Sequence, residues 1–263
     1  MSDYLAPLPP ARVAAWYGRL ADRIATERIP GVGTTYVPLA AVFLREWLRN
    51  RNPTSTFRFD APSYLQWRTM VATPCWKWTS APFFLTEQRA RIGSRTIWAG
   101  VVPRIRGDSG FTRWDLSAPL QMQYESLVEV GSSLFEIGRI QSAGTPAERD
   151  LLTSLRGFQL RSRVTVEGQR QADGSISIRF AMWTCSALDR YDWDYSEHFT
   201  VPNPDYGSRA ADAVRPADQS LRVYHSNARR LEQANLAAPF NVESNEWRVT
   251  DSRWLNAGTV RAT

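Results

Sequence analysis

Apolar residues in the first part of the chain recur at intervals of three and four. Val13, Trp16, Tyr17, Leu20 and Ile24 fall on one face of a helix predicted over Ala11 to Arg28, which Pro30, Gly31 and Gly33 bring to an end. Pro38 opens a second helix, with Leu39, Val42, Phe43, Trp47 and Leu48 as its apolar positions and a stop between Asn50 and Pro53. A third, shorter helix is expected from Pro62 through Tyr64, Leu65, Trp67 and Met70. Large side chains at this spacing face a core more often than a ligand.

From Phe83 to Ile105 the helical period is lost, and Phe83-Phe84-Leu85 and the run from Thr96 to Val102 read as strands or irregular chain. Gly107-Asp108-Ser109-Gly110 is a turn cluster. It suggests a helix-rich N-terminal region over 1–110 and an α+β domain over 111–263, and it is equally compatible with a loop inside one domain. Pro119 to Ile140 does not settle its period. Thr145-Pro146-Ala147-Glu148 reads as a helix start, with Thr as N-cap, Pro at the first position and Glu three residues on, and the helix is expected to reach Leu155.

Strict alternation then begins. Phe158, Leu160, Val164 and Val166 alternate with polar residues, Ala172-Asp173-Gly174-Ser175 turns the chain, and Ile176, Ile178, Phe180 and Met182 alternate again. This predicts an antiparallel hairpin with one buried face, whose second strand runs through Trp183 to Leu188 and delivers Asp189. A structured loop follows at Pro202-Asn203-Pro204-Asp205-Tyr206-Gly207. A helix is expected over Asp218 to Asn235, and the tail containing Trp247, Val249 and Trp254 can add a strand. The fold class is therefore α+β: a helical N-terminal part, then a mixed, mostly antiparallel sheet.

Composition narrows the classes. The chain has 263 residues, 43% hydrophobic and 22% charged, the balance of a globular protein with a sizeable core. No apolar run approaches the roughly 18–20 residues of a membrane span. Met1 to Pro10 lacks the basic and apolar regions of a secretory signal, which predicts synthesis in the cytoplasm and, if the protein acts outside it, a carrier of another kind. The net charge of +6 is compatible with anionic partners, but Lys77 is the only lysine and the arginines are scattered. A nucleic-acid partner is disfavoured, since neither a basic stripe nor a helix-turn-helix or RNA-binding signature is visible. Cys75 and Cys185, the only cysteines, sit in apolar surroundings outside any zinc-ligand spacing, and read as buried thiols or as a pair. No glycine-rich phosphate loop, dinucleotide fingerprint, serine-hydrolase elbow or zinc-protease helix occurs.

The chemistry concentrates in Asp189-Arg190-Tyr191-Asp192-Trp193-Asp194-Tyr195-Ser196-Glu197-His198, which holds one of the two histidines. Alternation sets Asp189 and Tyr191 on one face, and a bend after Tyr191 brings Asp192 to them. Two convergent carboxylates suit Mg²⁺, with waters completing its shell. His198 suits a general acid or base near neutral pH, and Tyr191 can bond a phosphoryl oxygen or hold a carboxylate. The alternative is a polar turn after a strand, with His198 a solvated bystander. The second histidine, His225, sits in a predicted helix and reads as structural or surface.

Asp189, Tyr191, Asp192 and, five residues later, His198 form a pattern that resembles the signature of the colicin M family, toxins that degrade lipid II. The resemblance implies an open, half-barrel-like sheet with helices in front. It also implies Mg²⁺-dependent hydrolysis of the lipid-linked peptidoglycan precursor between undecaprenol and the diphosphate, on the periplasmic side of a target cell's membrane. It assigns catalytic roles to Asp189, Tyr191, Asp192 and His198, with Asp189 and Asp192 as metal ligands. The family has an arginine directly after the histidine; this chain has Phe199. Either Arg209, Arg229 or Arg230 then supplies the guanidinium that grips the diphosphate, or the activity is altered or absent. The chain is also broadly similar to an uncharacterised bacterial family with an Asp-x-Phe-Asp-Phe variant late in its sequence. A toxin of this kind implies an immunity protein and a carrier such as a type VI secretion system. The competing expectation is a non-catalytic adaptor of a secretion locus, in which the acidic motif tolerates substitution.

Overall fold

The computed structural model describes residues 3–26, 37–60, 112–118, 150, 153–155, 159–193, 198–248, 250 and 255–261. The expected helix from Pro62, the segments 83–105 and 119–140, the boundary cluster at 107–110 and the helix start at Thr145 lie outside them. The chain divides into two units, each assembled from separate stretches of sequence. The first comprises Met1–Phe59, Val128–Gly157 and Asp189–Glu243, the second Asp60–Leu127, Phe158–Leu188 and Ser244–Thr263. The architecture is α+β with mostly antiparallel strands, as the alternation of periods predicts. No helix among the described residues is long and apolar enough to cross a membrane.

In the first unit, α1 (Pro10–Thr26) and α2 (Pro38–Arg49) form where the apolar spacing places them. Val13, Trp16, Tyr17 and Leu20 of α1, and Leu39, Phe43, Leu44 and Trp47 of α2, are buried. Each such side chain contributes about 1.5–3 kcal/mol relative to exposure. Tyr17 meets Trp47 edge-on at 5.5 Å, and the Arg45 guanidinium reaches Asp22 at 2.8 Å.

The start of α2 is capped from far away in sequence. Val37, its N-cap residue, offers no side-chain acceptor. Instead Leu39 N and Ala40 N donate to Oδ2 and Oδ1 of Asp150, at 2.8 and 3.1 Å. Asp150 is helical, as are Thr153–Leu155. Its carboxylate satisfies amides that the first helical turn leaves open and suits the positive end of the helix dipole. Burial nevertheless outweighs these bonds and pushes its pKa up to about 6.

The rest of the first unit is β1 (Thr56–Phe59), the end of β4 (Ser175–Tyr191), the ribbon of β5 (His198–Pro202) and β6 (Ser220–Tyr224), α3 (His225–Gln233), and β7 (Phe240–Ser244). The helix expected over Asp218 to Asn235 is half right. Ser220–Tyr224 is a strand, because Leu221 and Val223 alternate inward and pair with Val201 and Phe199 of β5. The helix begins only at His225. Between β5 and β6 the loop is held by Asn203, whose side-chain amide donates to the carbonyls of Val214, Arg215 and Asp218. Asp205 accepts Arg19 of α1 at 2.7 and 2.9 Å and the Val214 amide at 2.8 Å.

In the second unit, β2 (Thr112–Ala118), β3 (Gln159–Arg170) and β4 run antiparallel in the order β2-β3-β4, and β8 (Trp247–Arg248) and β9 (Asn256–Arg261) pair with the other edge of β4. The predicted hairpin is therefore present, with Gly174 at φ 79° in its turn, a left-handed position that favours glycine. The register holds one irregularity. Val166 opposes Phe180 while Thr165 opposes Met182, so Ala181 is an extra residue, a β-bulge. It moves the buried series from Ile176, Ile178 and Phe180 to Trp183, and leaves Met182 at 40% exposure. Along the rest of β4, Asp189 and Tyr191 now follow the parity of Trp183; without the bulge, Leu188 and Arg190 would follow that of Phe180.

Candidate functional site

The acidic motif begins on the last residues of β4. Tyr191 turns into the aromatic core of the first unit. Its ring stacks on Phe240 at 5.1 Å and 19° and meets Phe43 at 5.7 Å. Burial holds its phenol well above the ordinary range, so it stays protonated near neutral pH and is suited to donate a hydrogen bond, not to act as a base. Asp189 is half-buried. Asp192 is exposed, and its Oδ2 lies 3.6 Å from Nε of Arg190. That guanidinium also donates to the Pro53 carbonyl at 3.2 Å and to Asn241 Oδ1 at 3.1 Å.

Trp193 returns the chain to the core. It lies 5.2 Å from Trp47, 5.9 Å from Tyr17 and 5.1 Å from His225 by ring centroids, and stacks on Phe199 at 5.6 Å and 24°. Asp194, Tyr195, Ser196 and Glu197 lie outside the described residues. The chain is described again at His198, which is exposed at the start of β5. Phe199, standing where the colicin M pattern has arginine, is half-buried and also meets the His225 ring at 5.3 Å. Its position in β5 points it to the apolar side of the ribbon, so it serves packing here. His225 itself is buried, packed edge-on against the stacked Trp193 and Phe199 rings.

At the described positions of the motif inward and outward residues alternate: Tyr191 in, Asp192 out, Trp193 in, and beyond the next four residues His198 out, Phe199 in. The aromatic residues pack into the core and Asp192 and His198 project from it, while Asp189 is half-buried on the parity of Tyr191. Asp189 and Tyr191 share a parity on β4; no contact joins Asp192 to His198 among the described residues. Nor does any group of three or more His, Cys, Asp or Glu there converge on a point that could hold a metal ion. Mg²⁺ asks less of a protein than that. One or two carboxylates suffice where substrate phosphates and water complete the shell; Asp189 and Asp192 each offer one, but at opposite parities of the chain, so alternation does not itself bring them together.

The arginines differ in how far they are already engaged. Arg230 of α3 donates to the carbonyls of Leu8 at 2.6 Å and Leu5 at 3.3 Å, tying the N-terminal segment down. Arg229 is exposed on α3 but also has a partner, and Arg209 is exposed in the β5–β6 loop.

Sequence reading passed over β6. In the antiparallel register His198 opposes Tyr224 and Thr200 opposes Arg222, so these four lie on one face of the ribbon. Phe199, Val201, Leu221 and Val223 lie on the other. The His198 and Tyr224 rings are 5.5 Å apart. Arg222 is half-buried, and its Nε is buried without a hydrogen-bond acceptor among the described residues. The alternation of Ser220-Leu221-Arg222-Val223-Tyr224 was the signal that could have placed them there.

Comparison with protein-family models, with curated proteins and with solved structures finds no match for this chain.

Proposed function

We propose that this chain is an antibacterial effector that hydrolyses the lipid-linked peptidoglycan precursor, lipid II, between undecaprenol and the diphosphate. The observation that carries the reading is the alternation of anchored aromatic and projecting ionisable residues within a motif that has the spacing of the colicin M signature. A rigid frame with polar groups displayed on it is what a catalytic constellation requires. In this reading Asp189 and Asp192 hold Mg²⁺, which when bound would neutralise phosphate oxygens and acidify a water. His198 takes the proton of the attacking water or returns one to the departing undecaprenol oxygen. Tyr191, kept neutral by burial, steadies the carboxylates or donates to a phosphoryl oxygen. The site of action is the periplasmic membrane surface of a target cell, with an immunity protein protecting the producer and a secretion system as carrier.

The test is purified protein with detergent-dispersed lipid II and Mg²⁺, with and without chelator. Release of undecaprenol that chelation stops, and that Asp192→Ala and His198→Ala lose, is expected. Absence of release from folded protein would remove the hydrolase reading. A second reading, a non-catalytic adaptor of a secretion locus, is favoured by one observation: the residue in the place of the family arginine is stacked on Trp193. It predicts that Asp192→Ala and His198→Ala leave biological activity intact.

A further inference from the structure

We propose that the polar face of the β5–β6 ribbon is a binding site for a phosphate or diphosphate ester, with Arg222 as its clamp. The proposal deepens the hydrolase reading, on which the choice of a diphosphate rests; the anion site itself rests on the ribbon's register.

Directly opposed residues of an antiparallel pair share a face, and so do residues two positions along. His198, Tyr224, Thr200 and Arg222 are therefore a two-by-two patch. Opposed Cβ atoms in such a patch are about 4.5–5.5 Å apart and diagonal ones about 7–8 Å, within the reach of an arginine side chain. Imidazole, phenol, hydroxyl and guanidinium can all donate hydrogen bonds, and none of the four positions carries a carboxylate. Four donors on one face suit an oxyanion.

Arg222 makes the case specific. It has no ion pair and no hydrogen bond among the described residues, and its Nε is shielded from solvent. A guanidinium nitrogen withdrawn from water without an acceptor is costly, and a phosphate oxygen offers the charge-assisted, forked partner that arginine favours. Arg19, Arg190 and Arg230 differ in that each already donates to protein oxygens. The exposure of His198 and Thr200 leaves the face open to a ligand at that end. Arg222 stands diagonal to His198 in the register, so the guanidinium that Phe199 cannot supply next to the imidazole is available across the ribbon.

The experiment titrates the full chain with inorganic pyrophosphate and, in a second arm, with geranyl diphosphate. Binding is followed by calorimetry and by the His198 imidazole resonances. Wild type is expected to bind and to shift the His198 signals. Arg222→Gln should weaken binding by about tenfold or more, and Arg222→Lys, which keeps the charge but not the fork, by less. Thr200→Val and Tyr224→Phe probe the same face without touching the half-buried arginine, and each should weaken binding. Tighter binding of the prenyl ester would identify a lipid-linked source, and equal binding a free one. Failure of wild type to bind either compound, or unchanged binding in Arg222→Gln, overturns the site. Binding lost in Arg222→Gln, together with an inert lipid II assay, would keep the site and remove the hydrolase reading.

Discussion

Single residues in the motif divide by where their side chains go. His198 projects into solvent while its neighbour Phe199 stacks on Trp193. His198→Ala should therefore change stability by no more than about 0.5 kcal/mol, and Phe199→Ala should cost about 2 kcal/mol, as urea denaturation would measure. A loss of activity in the first without loss of fold separates chemistry from packing. Tyr17 makes a subtler case. Its hydroxyl is buried without a hydrogen-bond partner among the described residues, and burial raises its pKa far above the ordinary phenol range. Tyr17→Phe removes the polar atom and keeps the ring against Trp47 and Trp193. A gain of about 1 kcal/mol is expected, visible as a higher melting temperature; a clear loss would mean that the hydroxyl has an acceptor after all.

At the scale of elements, the cap of α2 carries a pH signature. The Asp150 carboxyl titrates at about 6 in the fold against an ordinary 3.8. Between those values the native state binds more protons than the unfolded chain. The stability this group contributes is full below about pH 4 and is lost as pH rises through 6, to the extent of about 3 kcal/mol. Asp150→Asn keeps the shape and removes the titration. Its stability relative to wild type should improve from pH 4 to pH 7, and a pH-independent difference would contradict the assignment. The elements were unequally legible in sequence. α1, α2 and the β3–β4 hairpin follow from local period, because each buries one continuous stripe. The strand at Ser220–Tyr224 was read as helix because its apolar residues bury only through pairing with β5, a partner that periodicity does not reveal. The motif was found by residue type, but which of its members point inward depends on the bulge at Ala181, and pattern alone does not locate a bulge. The role of Phe199 was invisible for the same reason: its partners Trp193 and His225 come from a separate strand end and a helix.

For the whole molecule, the sequence shows no clustered run of basic residues behind its net charge of +6. Arg19, Arg45, Arg58, Arg163, Arg179 and Arg215 each have a carboxylate within ion-pair distance. Fluorescence anisotropy with duplex DNA at physiological salt should therefore show no binding, and strongly salt-dependent binding would argue for a nucleic-acid partner. The first unit is drawn from three stretches of chain that begin at residue 1 and end at residue 243. Its early helix α2 takes its cap from Asp150, Trp47 donates to Glu232 at 3.0 Å, and Arg19 pairs with Asp205. Part of what holds α1 and α2 is thus synthesised long after them. A ribosome that has released the first 60 residues has released two amphipathic helices that have each other but not these later partners, and closing such distant contacts is slow. The face that carries His198 and Arg222 comes later still, since it cannot form before β6 has followed β5 out of the ribosome.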